Sequence, residues 1–265
     1  MATQNETIQP MKVILRRARL RLLQLHYESV VGHIGGNLSS LDLMLTLYHR
    51  VMQSNDRFIL SKGHAAGALY TTLWSLGRLS DDDLKQFHKD DTLLSAHPPP
   101  KGIADILFAT GSLGHGLGLA AGVALGQRLQ GETGRVFCLM SDGEWNEGSN
   151  WESLAFAAHQ KLDKLTLIID LNGLQGFGST KEVNDISPLA DKLTGFGLKV
   201  STIDGHDPEA IELALRTGAD GTPHAVVANT VKGHGVSFME HKMEWHYLPM
   251  SADQYALATE EVGHL

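Results

Sequence analysis

Val136-Phe137-Cys138-Leu139-Met140 runs without a break into Ser141-Asp142-Gly143-Glu144, and Leu165-Thr166-Leu167-Ile168-Ile169 runs into Asp170-Leu171-Asn172-Gly173. Each is a continuous apolar run closed by turn-forming residues, the pattern of a strand buried on both faces. Between them Trp151 to Gln160 carries apolar positions at helical spacing, so the pair reads as strand, crossover helix, strand. Outward from this unit the pattern repeats. Arg57 to Leu60, Leu198 to Ile203 and Ala225 to Ala228 are further short apolar runs, and Ala68 to Leu76, Leu113 to Leu129 and Pro208 to Arg216 are helical patterns. Upstream, Met11 to Val31 reads as a helix, and Ser39-Ser40 before Leu41 to Leu45 as the cap of a second. The expected fold is α/β: a doubly wound, mainly parallel sheet flanked by helices, with ligands gathering at the carboxyl ends of the strands. With no internal repeat or low-complexity linker, residues 1–265 read as one domain. After Gly233 the pattern dissolves into Met, His, Trp and Pro, which suggests a C-terminal tail that docks on something else.

Composition narrows the function classes. The 265 residues are 42% hydrophobic and 20% charged, ordinary for a globular chain, with a formal charge of -8. Basic residues are scattered apart from Arg16-Arg17-Ala18-Arg19-Leu20-Arg21, which reads as the polar face of a helix, so nucleic acid is not the expected partner. The one cysteine, Cys138, sits in an apolar run as a small core residue, which fits a reducing cytoplasm. Met1 to Pro10 is polar and lacks a signal-peptide core, and no run reaches the ~18 apolar residues of a membrane span.

Asp142 and Asn172 lie 30 residues apart yet leave the same end of the sheet. An Asp carboxylate, an Asn amide oxygen, a backbone carbonyl and diphosphate oxygens make a natural octahedral set for Mg²⁺. Asp-Gly and Asn-Gly are also ordinary turn dipeptides, the commoner reading of either one alone. Their placement on successive strand ends favours the shared site.

These residues resemble the thiamine-diphosphate signature, Gly-Asp-Gly followed by a helix, a strand and Asn. Further segments are similar, in order, to transketolases: Gly32-His33-Ile34-Gly35-Gly36, Leu60-Ser61-Lys62-Gly63-His64-Ala65, Ala96-His97-Pro98, Thr110-Gly111-Ser112-Leu113-Gly114-His115-Gly116, Trp145-Asn146-Glu147-Gly148 and Lys232-Gly233-His234-Gly235-Val236-Ser237-Phe238. The match covers nearly the whole chain. It departs at Ser141, where the signature has Gly, and at Leu171, where a polar residue precedes the Asn. The resemblance implies the diphosphate-binding module of the thiamine-diphosphate fold. It also implies a metal, Mg²⁺ with Ca²⁺ or Mn²⁺ as substitutes, held by Asp142, Asn172 and the carbonyl of Leu174. Cofactor contacts would come from His64, Gly111, Leu113, Gly114, Asp142, Gly143, Glu144, Asn172 and His234.

Thr110 to Ala121 holds four glycines, which either pack a helix closely or let backbone N–H groups approach a ligand. Six of the 14 histidines directly follow a glycine: His33, His64, His115, His206, His234 and His264. Any single one is more commonly structural, and no His-x₃-His spacing supports a histidine metal site. By resemblance His33, His64, His97 and His234 line the reaction centre and exchange protons with sugar hydroxyls, while His206, His241, His246 and His264 carry no such role. Glu147 resembles the residue that meets the activating glutamate across a subunit interface; it is equally a first-turn acid favoured by the helix dipole.

The implied activity is transfer of a two-carbon ketol unit from a ketose, phosphorylated in the family, to an aldose. The activating carboxylate and the pyrimidine pocket belong to a second domain. Here that domain is expected on a separate C-terminal transketolase subunit, in an α₂β₂ assembly, with Phe238, Met239, Met243, Trp245 and Tyr247 as interface candidates. Three alternatives stay open: the α subunit of a 2-oxo acid dehydrogenase E1, a deoxyxylulose-phosphate-synthase-like enzyme, and a catalytically silent cofactor-binding regulatory chain.

Overall fold

A computed structural model describes residues 9–99, 101–218 and 221–265; Met1 to Ile8 of the polar N-terminal stretch lie outside them. The helices are α1 (Met11–Ser29), α2 (Ile34–Thr46), α3 (Ala66–Ser75), α4 (Asp81–Leu84), α5 (Gly116–Leu129), α6 (Gly148–His159), α7 (Thr180–Asn184), α8 (Leu189–Gly195), α9 (Pro208–Arg216) and α10 (Ala252–Gly263). The strands are β1 (Arg57–Leu60), β2 (Val136–Ser141), β3 (Leu165–Leu171), β4 (Lys199–Asp204) and β5 (His224–Asn229). They form one sheet in the order β1-β2-β3-β5-β4. Every pairing is parallel. The strand pleat divides the core in two. Phe137, Leu139 and Ile168 face the cluster built with α1, α2, α3, α9 and α10, while Cys138, Met140 and Ile169 face the one built with α5, α6 and α8. Burial on both faces is why these runs are continuous rather than alternating.

Two expectations are corrected. Ser39 and Ser40 do not cap α2; they lie inside it, bonding back to Gly36 O and forward to the Asp170 carboxylate at 2.7 and 2.9 Å. The helix starts earlier, at Ile34, because Gly35 and Gly36 let it pass close to Lys232, Trp245 and His64. The segment after Gly233 is likewise no loose tail. Met239 and Trp245 are buried in the chain's own core, Phe238 packs on Trp245, and α10 lies along α1 with Tyr255 stacked on Tyr27 at 4.3 Å. Of the five interface candidates only Tyr247 is exposed. No helix among the described residues is long and apolar enough to cross a membrane.

Two histidines outside the strand-end cleft set an acid limit on stability. His26 on α1 and His224 on β5 are buried, and desolvation depresses each ring from 6.5 to about 4. The unfolded chain therefore takes up protons below about pH 6.5 that the folded chain refuses until about pH 4, so stability falls across that window. His26 alone accounts for ~3 kcal/mol at 1.36 kcal/mol per unit. Urea midpoints should fall from pH 6.5 to 4; a midpoint constant down to pH 4.5 would contradict this.

Candidate active site

β2 and β3 run in register, with Ser141 opposite Asp170, so the next residues of each chain leave the sheet side by side. Asp142 Oδ1 accepts the Gly143 N–H at 2.7 Å and Oδ2 accepts the Gly173 N–H at 2.6 Å, pinning one strand-end turn to the other. Asn172 Oδ1 accepts the Leu174 N–H at 3.1 Å in the same turn. The two turn dipeptides are thus halves of one structure. They floor a cleft of about 350 Å³, within the range of small-molecule sites, at the carboxyl ends of the strands.

Two lysines line this cleft, and the sequence motifs assign them no role. Lys62, after β1, pairs with Asp170 while also reaching Ser40 Oγ at 2.8 Å and Gly36 O at 3.2 Å. Burial alone would raise the Asp170 carboxyl; Lys62 and the hydroxyls of Thr230 and Ser39 hold it below its usual value. The charge is fully satisfied, the condition under which a buried ion pair persists. Lys232, after β5, is less well matched: its ammonium meets only Leu174 O at 3.5 Å and His246 Nδ1 at 3.1 Å. Burial and the neighbouring Lys62 depress it to about 8. Asp142 moves the other way, pushed up to about 6 by burial and the Asp170 charge.

Those observations test whether a metal and a diphosphate suit the residues present. The oxygens of Asp142, Asn172 and Leu174 are hard donors gathered at one turn, with no thiolate among them, and a buried carboxylate with a raised pKa is one that an added cation would relieve. A lysine ammonium already lies at the Leu174 carbonyl. Lys232, which no carboxylate neutralises, supplies positive charge on the same cleft, as an anionic diphosphate requires. The residues fit both groups.

Above this floor four imidazoles converge. Ring centroids of His33 lie 5.5 Å from His64, 6.1 Å from His97 and 4.9 Å from His246, and His64 lies 5.4 Å from His246. His33 occupies the left-handed region at φ 66°, uncommon for a residue with a side chain, and its N–H donates to His246 O at 3.0 Å. Gly32 makes that approach possible, since a Cβ there would lie 2.4 Å from Tyr247 O. Desolvation lowers all four rings, His33 to about 4 and His246 to about 3, so each is neutral near pH 7 and offers both a donor and an acceptor. His33 Nδ1 is buried without a partner.

Of the residues expected at the site, the structure places His33, His64, His97, Gly111, Leu113, Asp142, Gly143, Glu147, Asn172 and Leu174 on the cleft. Three are elsewhere. His234 stacks on His206 at 3.5 Å, because Gly233 at φ 83° turns the chain after Lys232 and sends the imidazole away. His246, read as structural, takes the fourth place. Glu144 is buried beneath the cleft and accepts from Ser61 Oγ and from the Gly114 N–H at 2.9 Å, and neither Glu144 nor Gly114 lines the cleft. Gly114, at φ 86°, is required by packing, as a Cβ would lie 2.6 Å from Glu147 Cβ. Glu147 sits at the N-cap position of α6 without a side-chain capping bond and is exposed at the rim.

The arrangement defines a parallel α/β protein whose strand ends present a turn of hard oxygen donors, two lysines and four neutral imidazoles to one cleft. A family model described as "Transketolase, thiamine diphosphate binding domain" matches residues 18–265, and the chain belongs to that family. It is 38% identical over 241 residues to one of the subunits of an apulose-4-phosphate transketolase from Actinobacillus succinogenes, covering 87% of each chain. It is 35% identical over 243 residues to a 6-deoxy-6-sulfo-D-fructose transketolase subunit of a Clostridium species, covering 88% of each. Among solved structures, transketolase from Leishmania mexicana superposes with a TM-score of 0.89 at 25% identity, over 96% of this chain and 41% of that one. The chain therefore spans about two fifths of that transketolase. Of the readings left open by sequence, these comparisons favour a transketolase subunit over the α chain of a dehydrogenase E1, a deoxyxylulose-phosphate synthase or a silent regulatory chain.

Proposed function

We propose that this chain, one domain over residues 1–265, is the diphosphate-binding subunit of a two-chain cytoplasmic transketolase moving a two-carbon ketol unit from a phosphorylated ketose to an aldose. The observation that carries the reading is the Asp142–Gly173 hydrogen bond, which joins both strand-end turns into one hard-oxygen site beside two lysines. Asp142, Asn172 and Leu174 O would hold Mg²⁺; Lys232 would face the diphosphate. When bound, thiamine diphosphate supplies the electron sink that allows a ketose carbon–carbon bond to break. The chain's own residues orient the sugar and move its protons. Neutral His33, His64, His97 and His246 hydrogen-bond hydroxyl and carbonyl oxygens and exchange hydroxyl protons.

The partner in this reading is a C-terminal transketolase subunit bringing the pyrimidine pocket and activating carboxylate, in an α₂β₂ assembly. The Actinobacillus relative, itself named as one subunit of a transketolase, supports it. So does the cleft rim: Phe177 is 86% exposed and Tyr247 52%, with Leu248 alongside, apolar surface of the kind an obligate interface covers. Glu147 stands on the same rim.

In the assembled enzyme His33→Ala and His97→Ala should lower kcat by ~100-fold or more, the scale of a lost proton-transfer group. Thiamine diphosphate and Mg²⁺ should still bind with Kd within about threefold of wild type, since the diphosphate contacts are untouched. Calorimetry beside steady-state kinetics separates the two. Loss of cofactor binding in either variant would assign the imidazoles to the cofactor rather than to the sugar.

A further inference from the structure

Asp42, His206 and His234 gather outside the cleft lining, their ligand atoms within 4.8 Å of one another. A carboxylate and two imidazoles at that spacing resemble a metal site, but the hydrogen bonding excludes one. Asp42 Oδ1 accepts from Arg19 Nη2 at 2.5 Å and Oδ2 lies 2.8 Å from His206 Nδ1. His206 Nε2 accepts the Val231 N–H at 2.9 Å. Because a backbone N–H can only donate, Nε2 must be the acceptor and Nδ1 must carry the proton, so His206 has no lone pair left for an ion. His234 only stacks on it, its nitrogens 3.9 Å from Asp42 and 3.6 Å from Glu240.

The chain of bonds leads to the cleft. Arg19 on α1 and Asp42 on α2 are both buried. His206 comes from the turn after β4, and Val231 immediately precedes Lys232. We propose that Asp42 and His206 form a positioning relay that fixes the Val231–Lys232 turn and thereby aims the Lys232 ammonium at the cofactor diphosphate, an inference that rests on the cleft reading above. Neither residue touches the ligand. Asp42 selects the His206 tautomer, and the tautomer selects the acceptor that Val231 needs.

The test uses the full chain with thiamine diphosphate and Mg²⁺ for affinity, and the ligand-free chain for hydrogen exchange at the Val231 amide. His206→Phe should weaken thiamine diphosphate about tenfold, the scale of one lost buried hydrogen bond, and speed Val231 exchange by about tenfold or more. In a Lys232→Met background the same change should weaken binding no further, because the relay acts through Lys232. His206→Gln should restore most of both effects, its amide offering a donor and an acceptor at similar spacing. Asp42→Asn should resemble His206→Phe, since an amide must turn its NH₂ toward either Arg19 or His206. Unchanged Val231 exchange in His206→Phe, or full additivity with Lys232→Met, overturns the relay while leaving the cleft reading intact. Wild-type chain that binds no thiamine diphosphate overturns the cleft reading and with it the cofactor half of the relay.

Discussion

Asp142→Ala should abolish Mg²⁺-dependent binding of thiamine diphosphate, lowering affinity by more than the ~10–100-fold that loss of an outer-shell partner costs at a metal site. Two effects act together. The variant loses the one carboxylate among the three assigned ligands, and it unties the turns, since the Gly173 N–H loses its 2.6 Å acceptor and the Gly143 N–H its 2.7 Å one. Asn172→Ala leaves the carboxylate in place and should cost less than Asp142→Ala. Calorimetry with thiamine diphosphate, with and without Mg²⁺, reads both. Wild-type affinity in Asp142→Ala would remove the metal assignment.

Much of this site is legible in the sequence because its chemistry sits where the chain is most constrained. Continuous apolar runs identify β1, β2, β3 and β5, whereas the edge strand β4 carries no buried residue, and a strand end followed by Asp-Gly or Asn-Gly fixes where a side chain emerges. Residues attached to those ends, such as Asp142, Asn172 and Leu174, therefore fall on the correct edge of the sheet. What sequence does not carry is direction within loops. His234 and His246 lie in one irregular segment, and only the turn at Gly233 and the backbone pairing of His246 with His33 decide which ring enters the cleft. No periodicity encodes that. Ser39 and Ser40 mislead because a hydroxyl before an apolar run is a common cap, whereas here the acceptor is Asp170, 130 residues on in the chain from Ser40. Lys62 and Lys232 carry a weak signal: each is a lone cation beside a glycine just past a buried strand. Glu144 belongs to the ligand by its position in the motif, but packing sends it under the floor to hold Gly114.

The second large effect concerns the division of the enzyme between chains. The described residues build one five-stranded sheet carrying the diphosphate side of the site. The Actinobacillus transketolase subunit is matched over 87% of its own length, while the Leishmania transketolase is matched over only 41% of its length. Both facts favour a shared site, in which binding of the diphosphate and turnover are separable properties of two polypeptides.

The most direct measurement of that claim is ketol transfer by the purified chain, with saturating thiamine diphosphate and Mg²⁺, before and after addition of the co-expressed partner subunit. The proposed division predicts cofactor binding but no turnover by this chain alone, and turnover restored on mixing, with both chains in the active assembly. Robust transfer by this polypeptide free of any co-purifying subunit would contradict it.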